Sequence, residues 1–192
     1  MQPAVFLDRD GVLNEVRADK DFYYKPEDIA LLPKVIDAIH MIKKRGYKIF
    51  VITNQPVIAR GIATIEEIET LHQSMNTKLG MLIDQFYICP HHPEMHPDVP
   101  EHARKYRVPC TCRKPLPGMI LEAAKEHSLD LKKSWMIGDM VTDVLTGKAA
   151  GCRTIQIRSP HSSRIIKTSS SFDKEAKPDF YADSLYDSVA YL

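Results

Sequence analysis

Five short apolar runs punctuate the chain, and each stops at a polar or turn residue: Ala4–Leu7, Lys48–Thr53, Gln85–Cys89, Ser134–Ile137 and Arg153–Ile157. Runs of this length between turn signals read as buried strands. The segments between them have helical periodicity. Within 33–45, Val35, Ala38, Ile39 and Ile42 recur on one face, with Pro33 suited to a helix start and Gly46 to its stop. Thr64-Ile65-Glu66-Glu67 has the form of a capping box, and Ile65, Ile68, Leu71, Met75, Leu79 and Leu82 continue from it as a core-facing stripe. Pro117–His127 predicts a third helix with Ile120, Leu121 and Ala124 inward, and Val141–Ala150 a fourth, stopped by Gly151. Asp179–Leu192 predicts an edge strand followed by a short helix. Strands alternating with helices predict an α/β fold, a doubly wound parallel sheet. No internal repeat is visible, and residues 1–192 read as a single domain.

Three stretches break the pattern. Glu15–Leu32 mixes charges with Phe22, Tyr23 and Tyr24, and reads as a flap over the end of the first strand. His91–Pro109 is polar, rich in Pro and His, and without period. A structureless excursion of that length in a compact domain is usually functional or tethered by a ligand. Ser159–Lys177 is Ser/Lys-rich and reads as a mobile segment.

Composition narrows the class without naming it. A formal net charge of +1 gives no reason to expect nucleic acid or an acidic membrane as a partner. No apolar run is long enough to span a bilayer, and Met1-Gln2-Pro3 leads straight into a strand without a signal-peptide layout. A cytoplasmic, reducing location is therefore expected. There the cysteines Cys89, Cys110, Cys112 and Cys152 favour metal binding over disulfides.

Chemistry collects where strands end: Asp8/Asp10 after the first, Thr53/Asn54/Gln55 after the second, Gly138/Asp139 after the fourth. In an open parallel sheet, ligands bind in the crevice at those ends. Asp8, Asp10 and Asp139 offer hard oxygens for one magnesium ion. Thr53 offers a hydroxyl, Lys114 a fixed positive charge and Arg113 a planar fork for an anionic substrate. Phosphoryl transfer calls for this set: a nucleophile, a cation, and donors around the equatorial oxygens. Each piece alone has a plainer reading. Asp8 and Asp10 could be turn residues, Thr53-Asn54 a strand-to-loop turn, Arg113-Lys114 a solvated pair and Asp139 a helix cap.

A second cluster pairs Cys89-x-His91 with Cys110-x-Cys112. Three thiolates and an imidazole suit a closed, structural, tetrahedral zinc site. Such an ion would tether a zinc loop of about 89–112 whose own residues are too polar to pack, and deliver Arg113 and Lys114 beside it. His92, His96 and His102 compete with His91 for the fourth place, and a disulfide from Cys89 is the alternative. Cys152 reads as a small buried side chain.

Asp8-Arg9-Asp10-Gly11-Val12-Leu13, Thr53, Lys114 and Gly138-Asp139 with Asp143 resemble the four ordered motifs of the haloacid dehalogenase (HAD) superfamily of phosphatases. The resemblance implies a HAD-like Rossmannoid fold and an aspartyl-phosphate mechanism. Asp8 is then the nucleophile and Asp10 the general acid/base. Thr53 and Lys114 bind the phosphoryl group, Asn54 and Gln55 join them in substrate binding, and Asp8, Asp139 and the Asp10 carbonyl hold magnesium. With Cys89-Pro90-His91-His92-Pro93, Ile58-Ala59-Arg60-Gly61 and Cys110-Thr111-Cys112-Arg113-Lys114-Pro115, the chain is similar to the D-glycero-D-manno-heptose 1,7-bisphosphate 7-phosphatase family and its histidinol-phosphatase cousins. That family implies no separate cap domain, Mg²⁺ and Zn²⁺, Arg113 on the far end of the substrate, and a small sugar phosphate of lipopolysaccharide precursor synthesis; a monomer is expected. Pro56-Val57 and Met140 depart from its pattern, and the zinc loop is longer than usual. Histidinol phosphate is the rival substrate, and a zinc-stabilised binding module without catalysis is the rival class.

Overall fold

The computed structural model describes residues 1–16, 23–93, 99–158 and 177–192. The stretch 159–176 of the segment expected to be mobile, the middle of the flap and His96 lie outside the described residues. Six strands form one parallel sheet in the order β3-β2-β1-β4-β5-β6. They are β1 Ala4–Leu7, β2 Lys48–Asn54, β3 Gln85–Cys89, β4 Trp135–Gly138, β5 Arg153–Ile157 and the edge strand β6 Phe180–Ala182. The helices are α1 Val35–Lys44, α2 Ile65–Lys78, α3 Glu101–Arg104, α4 Gly118–His127, α5 Val141–Ala149 and α6 Leu185–Ser188.

The central strands are apolar on both faces because both faces are covered. Val5 and Leu7 of β1 join a core with Ile39, Leu71 and Ile137, while Ala4 and Phe6 join another with Phe50, Met119, Ile120 and Ala123. Thr64 caps α2 as expected: its hydroxyl accepts from the Glu67 N–H at 3.2 Å, and the Glu67 carboxylate accepts from the Thr64 N–H at 2.8 Å.

Two expectations need correction. The inward face of α4 is Met119, Ile120 and Ala123, whereas Leu121 is 47% exposed and Ala124 only partly buried. Both stripes have helical spacing, and the β2/β3 surface beneath, not the spacing, selects one. The loop of about 89–112, expected to be too polar to pack, is also less polar in effect than its composition. It contains α3, buries Val99 and Ala103, and seats Pro100 against Gly61.

The order of strands reverses at β1. Its partner β2 lies to one side and β4 to the other. The loops after β1 and β4 thus diverge around a crevice at their carboxyl ends, the place where doubly wound sheets bind ligands.

Candidate active site and metal-binding loop

That crevice is a small cavity of about 170 Å³ lined by Asp8, Asp10, Thr53, Asn54, Lys114, Asp139, Met140 and Thr142. The structure therefore brings together the three strand ends and the lysine that the sequence singled out. Lys114 is at the centre. Its ammonium is 2.8 Å from Asp8 Oδ1 and 2.6 Å from Asp143 Oδ1, and it donates to the Ile52 carbonyl at 3.1 Å. Asp143 sits in the first turn of α5 and its other oxygen accepts from the Met140 N–H at 3.0 Å.

Burial opposes the charge on Lys114, but Asp143 and Asp8 outweigh it and raise its pKa. Asp8 behaves differently from a simple ion-pair partner. Burial pushes it up to about 7, and the charges of Asp143 and Asp10 add to that against the pull of Lys114. One ammonium does not neutralise the carboxylates gathered here. Asp8, Asp139 and Asp143 are all buried and offer oxygens within 4.8 Å of one another. Such a donor set fits a small hard cation.

The magnesium set expected from the resemblance takes the Asp10 backbone carbonyl, so the Asp10 carboxylate, which also lines the cavity, is left for other partners. It accepts from Arg9 Nε and Nη2 at 3.2 and 2.9 Å, from Asn14 at 2.9 Å and from Gln55 at 3.4 Å. Burial alone would raise its pKa, yet the Arg9 charge and these hydrogen bonds lower it. Gln55 also donates to the Thr53 hydroxyl at 2.8 Å, which ties the β2 end to Asp10. Asn54 serves as a staple: its amide exchanges two hydrogen bonds with the Lys114 backbone, at 3.0 and 3.1 Å.

The second cluster also closes as expected. Cys89, His91, Cys110 and Cys112 present ligand atoms within 4.8 Å of one another. Cys89 Sγ lies 3.7 Å from Cys110 Sγ and 3.2 Å from Cys112 Sγ, and His91 Nδ1 lies 3.3 Å from Cys112 Sγ. A tetrahedron with Zn–S bonds of about 2.3 Å has edges of about 3.8 Å, so the cage has roughly zinc dimensions. A disulfide needs about 2.05 Å, and all four cysteines are free. Gly118 makes room for this knuckle, since a Cβ there would stand 2.3 Å from the Thr111 carbonyl oxygen. Arg113, directly after the cage, donates to the His91 carbonyl at 3.1 Å.

Sequence reasoning missed Arg9 and His72. Arg9 is 1% exposed, and beyond Asp10 it meets Tyr23 O at 3.1 Å and His72 Nε2 at 3.3 Å. The available signal was a cation wedged between two motif carboxylates. His72 lies in the α2 stripe, where only its polarity among apolar neighbours marked it.

Comparison with known proteins bears on this arrangement. A HAD-hydrolase-like family model matches residues 111–188. The D-glycero-beta-D-manno-heptose-1,7-bisphosphate 7-phosphatase of Photorhabdus laumondii is 42% identical over 74% of this chain and 72% of its own length. The enzyme of that name from Haemophilus ducreyi is 32% identical over 98% of this chain and 97% of its own.

The chain belongs to the heptose-bisphosphatase family of HAD hydrolases.

A crystal structure of D,D-heptose 1,7-bisphosphate phosphatase from B. bronchiseptica, complexed with magnesium and phosphate, shares the fold at TM-score 0.78. It is 24% identical, covering 98% of this chain and 97% of that one. As a member of that phosphatase family the protein is a phosphatase, and the reading as a non-catalytic binding module falls away. Among its described residues no helix is long and apolar enough to cross a membrane.

Proposed function

We propose that this phosphatase removes the 7-phosphate of D-glycero-D-manno-heptose 1,7-bisphosphate, with Asp8 as nucleophile and Asp10 as general acid/base. An Asp8 carboxylate oxygen attacks phosphorus and the P–O ester bond breaks; Asp10, which takes up a proton as the phosphoryl charge beside it offsets the pull of Arg9, gives that proton to the departing alkoxide. Asp10 then takes a proton from water, which attacks the aspartyl phosphate, releases inorganic phosphate and restores Asp8. Thr53 and Lys114 hold the phosphoryl oxygens, with Asn54 and Gln55 shaping the loop around them. Arg113 faces the sugar's remaining phosphate or hydroxyls.

Magnesium held by Asp8, Asp139 and the Asp10 carbonyl would supply positive charge against the incoming phosphate. Zinc on Cys89, His91, Cys110 and Cys112 is structural, since four protein ligands leave no open position. The chain acts as one domain on a small phosphorylated metabolite, without a cap domain, in the cytoplasm and as a monomer.

The observation that carries the reading is Lys114 bridging Asp8 and Asp143 beside Asp139 and Thr53 in a single cavity. The test is kinetic. With magnesium present, kcat/KM should be highest on heptose 1,7-bisphosphate in a panel that includes histidinol phosphate, and Asp8→Asn should abolish turnover while the protein stays folded. A preference for histidinol phosphate would replace the substrate. An active Asp8→Asn protein would end the mechanism.

A further inference from the structure

Behind the cavity, on α2, one polar side chain is packed as if it were core. His72 is 3% exposed and lies among Ile68, Leu71 and Met75, all buried. Its ring stacks on Phe86 of β3, with centroids 4.5 Å apart and planes at 18°. Nε2 is 3.3 Å from Arg9 Nη1, whereas Nδ1 is buried with no hydrogen-bond partner. A guanidinium can only donate. Nε2 must therefore carry the lone pair, which puts the proton on Nδ1, where nothing accepts it. A buried unpartnered donor costs stability that an aliphatic side chain would not. The position tolerates that cost, and in return has one acceptor facing Arg9.

Arg9 is what that acceptor holds. Nε and Nη2 engage the two oxygens of Asp10 at 3.2 and 2.9 Å, Nη2 also meets the Tyr23 carbonyl at 3.1 Å, and Nη1 meets His72. A planar fork held at all three nitrogens cannot swing off the carboxylate it faces. We propose that His72 is a positioning residue for the phosphatase reaction: as a neutral acceptor it fixes Arg9 across Asp10, and so aims the acid/base carboxylate at the ester oxygen. This rests on the role proposed above for Asp10.

Leaving groups test it. An alkyl phosphate needs a proton from Asp10 as its ester bond breaks, whereas p-nitrophenyl phosphate releases a stable phenolate and does not. For each ester, kcat/KM reports the steps through that cleavage. In His72→Leu, kcat/KM for the sugar phosphate should fall about tenfold or more, with p-nitrophenyl phosphate changed less than about twofold. His72→Gln, whose carbonyl oxygen can accept from Nη1, should keep both esters within about threefold of wild type. A packing role alone would lower both esters alike and leave the Gln variant no better than Leu; that result overturns the proposal. Should His72→Leu not fold, Phe86→Leu removes the ring that orients His72, and a loss without bias toward the alkyl ester overturns it equally. Asp10→Asn separates this inference from its premise. No leaving-group bias in Asp10→Asn defeats the acid role and the inference together, whereas bias there without bias in His72→Leu defeats the inference alone.

Discussion

Backbone geometry and charge meet at Gly11, in the turn after β1. It has φ +81°, and a Cβ there would stand 2.4 Å from Asp139 Oδ2 and 2.8 Å from its Cγ. Glycine is needed twice over, for the left-handed turn and for the space that lets a β4-end carboxylate approach the β1 loop. Gly11→Ala would add backbone strain of roughly 1–2 kcal/mol. Its methyl would also displace the Asp139 carboxylate from its present place. We expect the variant to fold, with a magnesium concentration for half-maximal activity raised about tenfold or more, corresponding to roughly 1.4 kcal/mol of lost binding. A magnesium titration of kcat/KM checks it, and wild-type half-saturation would mean that Asp139 takes no part. The turn itself was legible as Asp10-Gly11. The close approach across 128 residues of sequence was not, because no local pattern records which strands end side by side.

At the scale of elements, the loop of about 89–112 shows how far sequence reading reaches. The Cys-x-His and Cys-x-Cys pairs pick out a candidate metal cluster from spacing alone, whereas the structure is what brings His91, among the described histidines, to the three thiols. The pairs do not reveal α3, Val99 or Ala103, since a four-residue helix carries too little periodicity to read. Side-chain direction was equally hidden: Asp10 and Asp143 both belong to motifs, yet it is the fold that brings Asp143, and not the Asp10 carboxylate, into the buried acidic group. The α2 stripe was legible as core, and for that reason His72 was not seen as anything else.

The loop also makes a physical link between the two clusters. Cys112 is followed at once by Arg113 and Lys114, and Asn54 clamps the Lys114 backbone from β2. Stripping zinc with a thiol-compatible chelator should therefore lower activity by more than about tenfold even when magnesium is replenished, because the chain leading into Lys114 loses its tether. Elemental analysis should find one zinc per chain before treatment, and amide exchange across residues 99–116 should accelerate after it. Unchanged activity in verified zinc-free protein would separate the loop from catalysis.

In the whole molecule, the strand order β3-β2-β1-β4-β5-β6 sends acidic loops from both sides of the switch point into one buried space. Asp8, Asp139 and Asp143 then face a single ammonium, so without a divalent ion the native state carries surplus buried negative charge. The folded protein relieves this by holding a proton. Burial, together with Asp143 and Asp10, raises Asp8 from the ordinary 3.8 to about 7. The native state thus binds more protons than the unfolded chain between these limits, and this contribution to stability is full below about pH 4 and lost as pH rises through about 7. Magnesium acts in the opposite sense. Bound at Asp8, it would have to displace that proton below pH 7, and above pH 7 it would meet a carboxylate already ionised and repelled by its neighbours. At a hundred times its dissociation constant a ligand of the native state adds about 2.7 kcal/mol. For a chain of this size that corresponds to roughly 5–10 °C in Tm. We therefore expect a magnesium-induced rise in Tm of that order at pH 8, shrinking steadily toward pH 5, and absent in Asp8→Asn/Asp139→Asn at every pH. Differential scanning fluorimetry with and without magnesium, at constant ionic strength, measures it. A rise that grows as pH falls would contradict the buried-carboxylate account of this site.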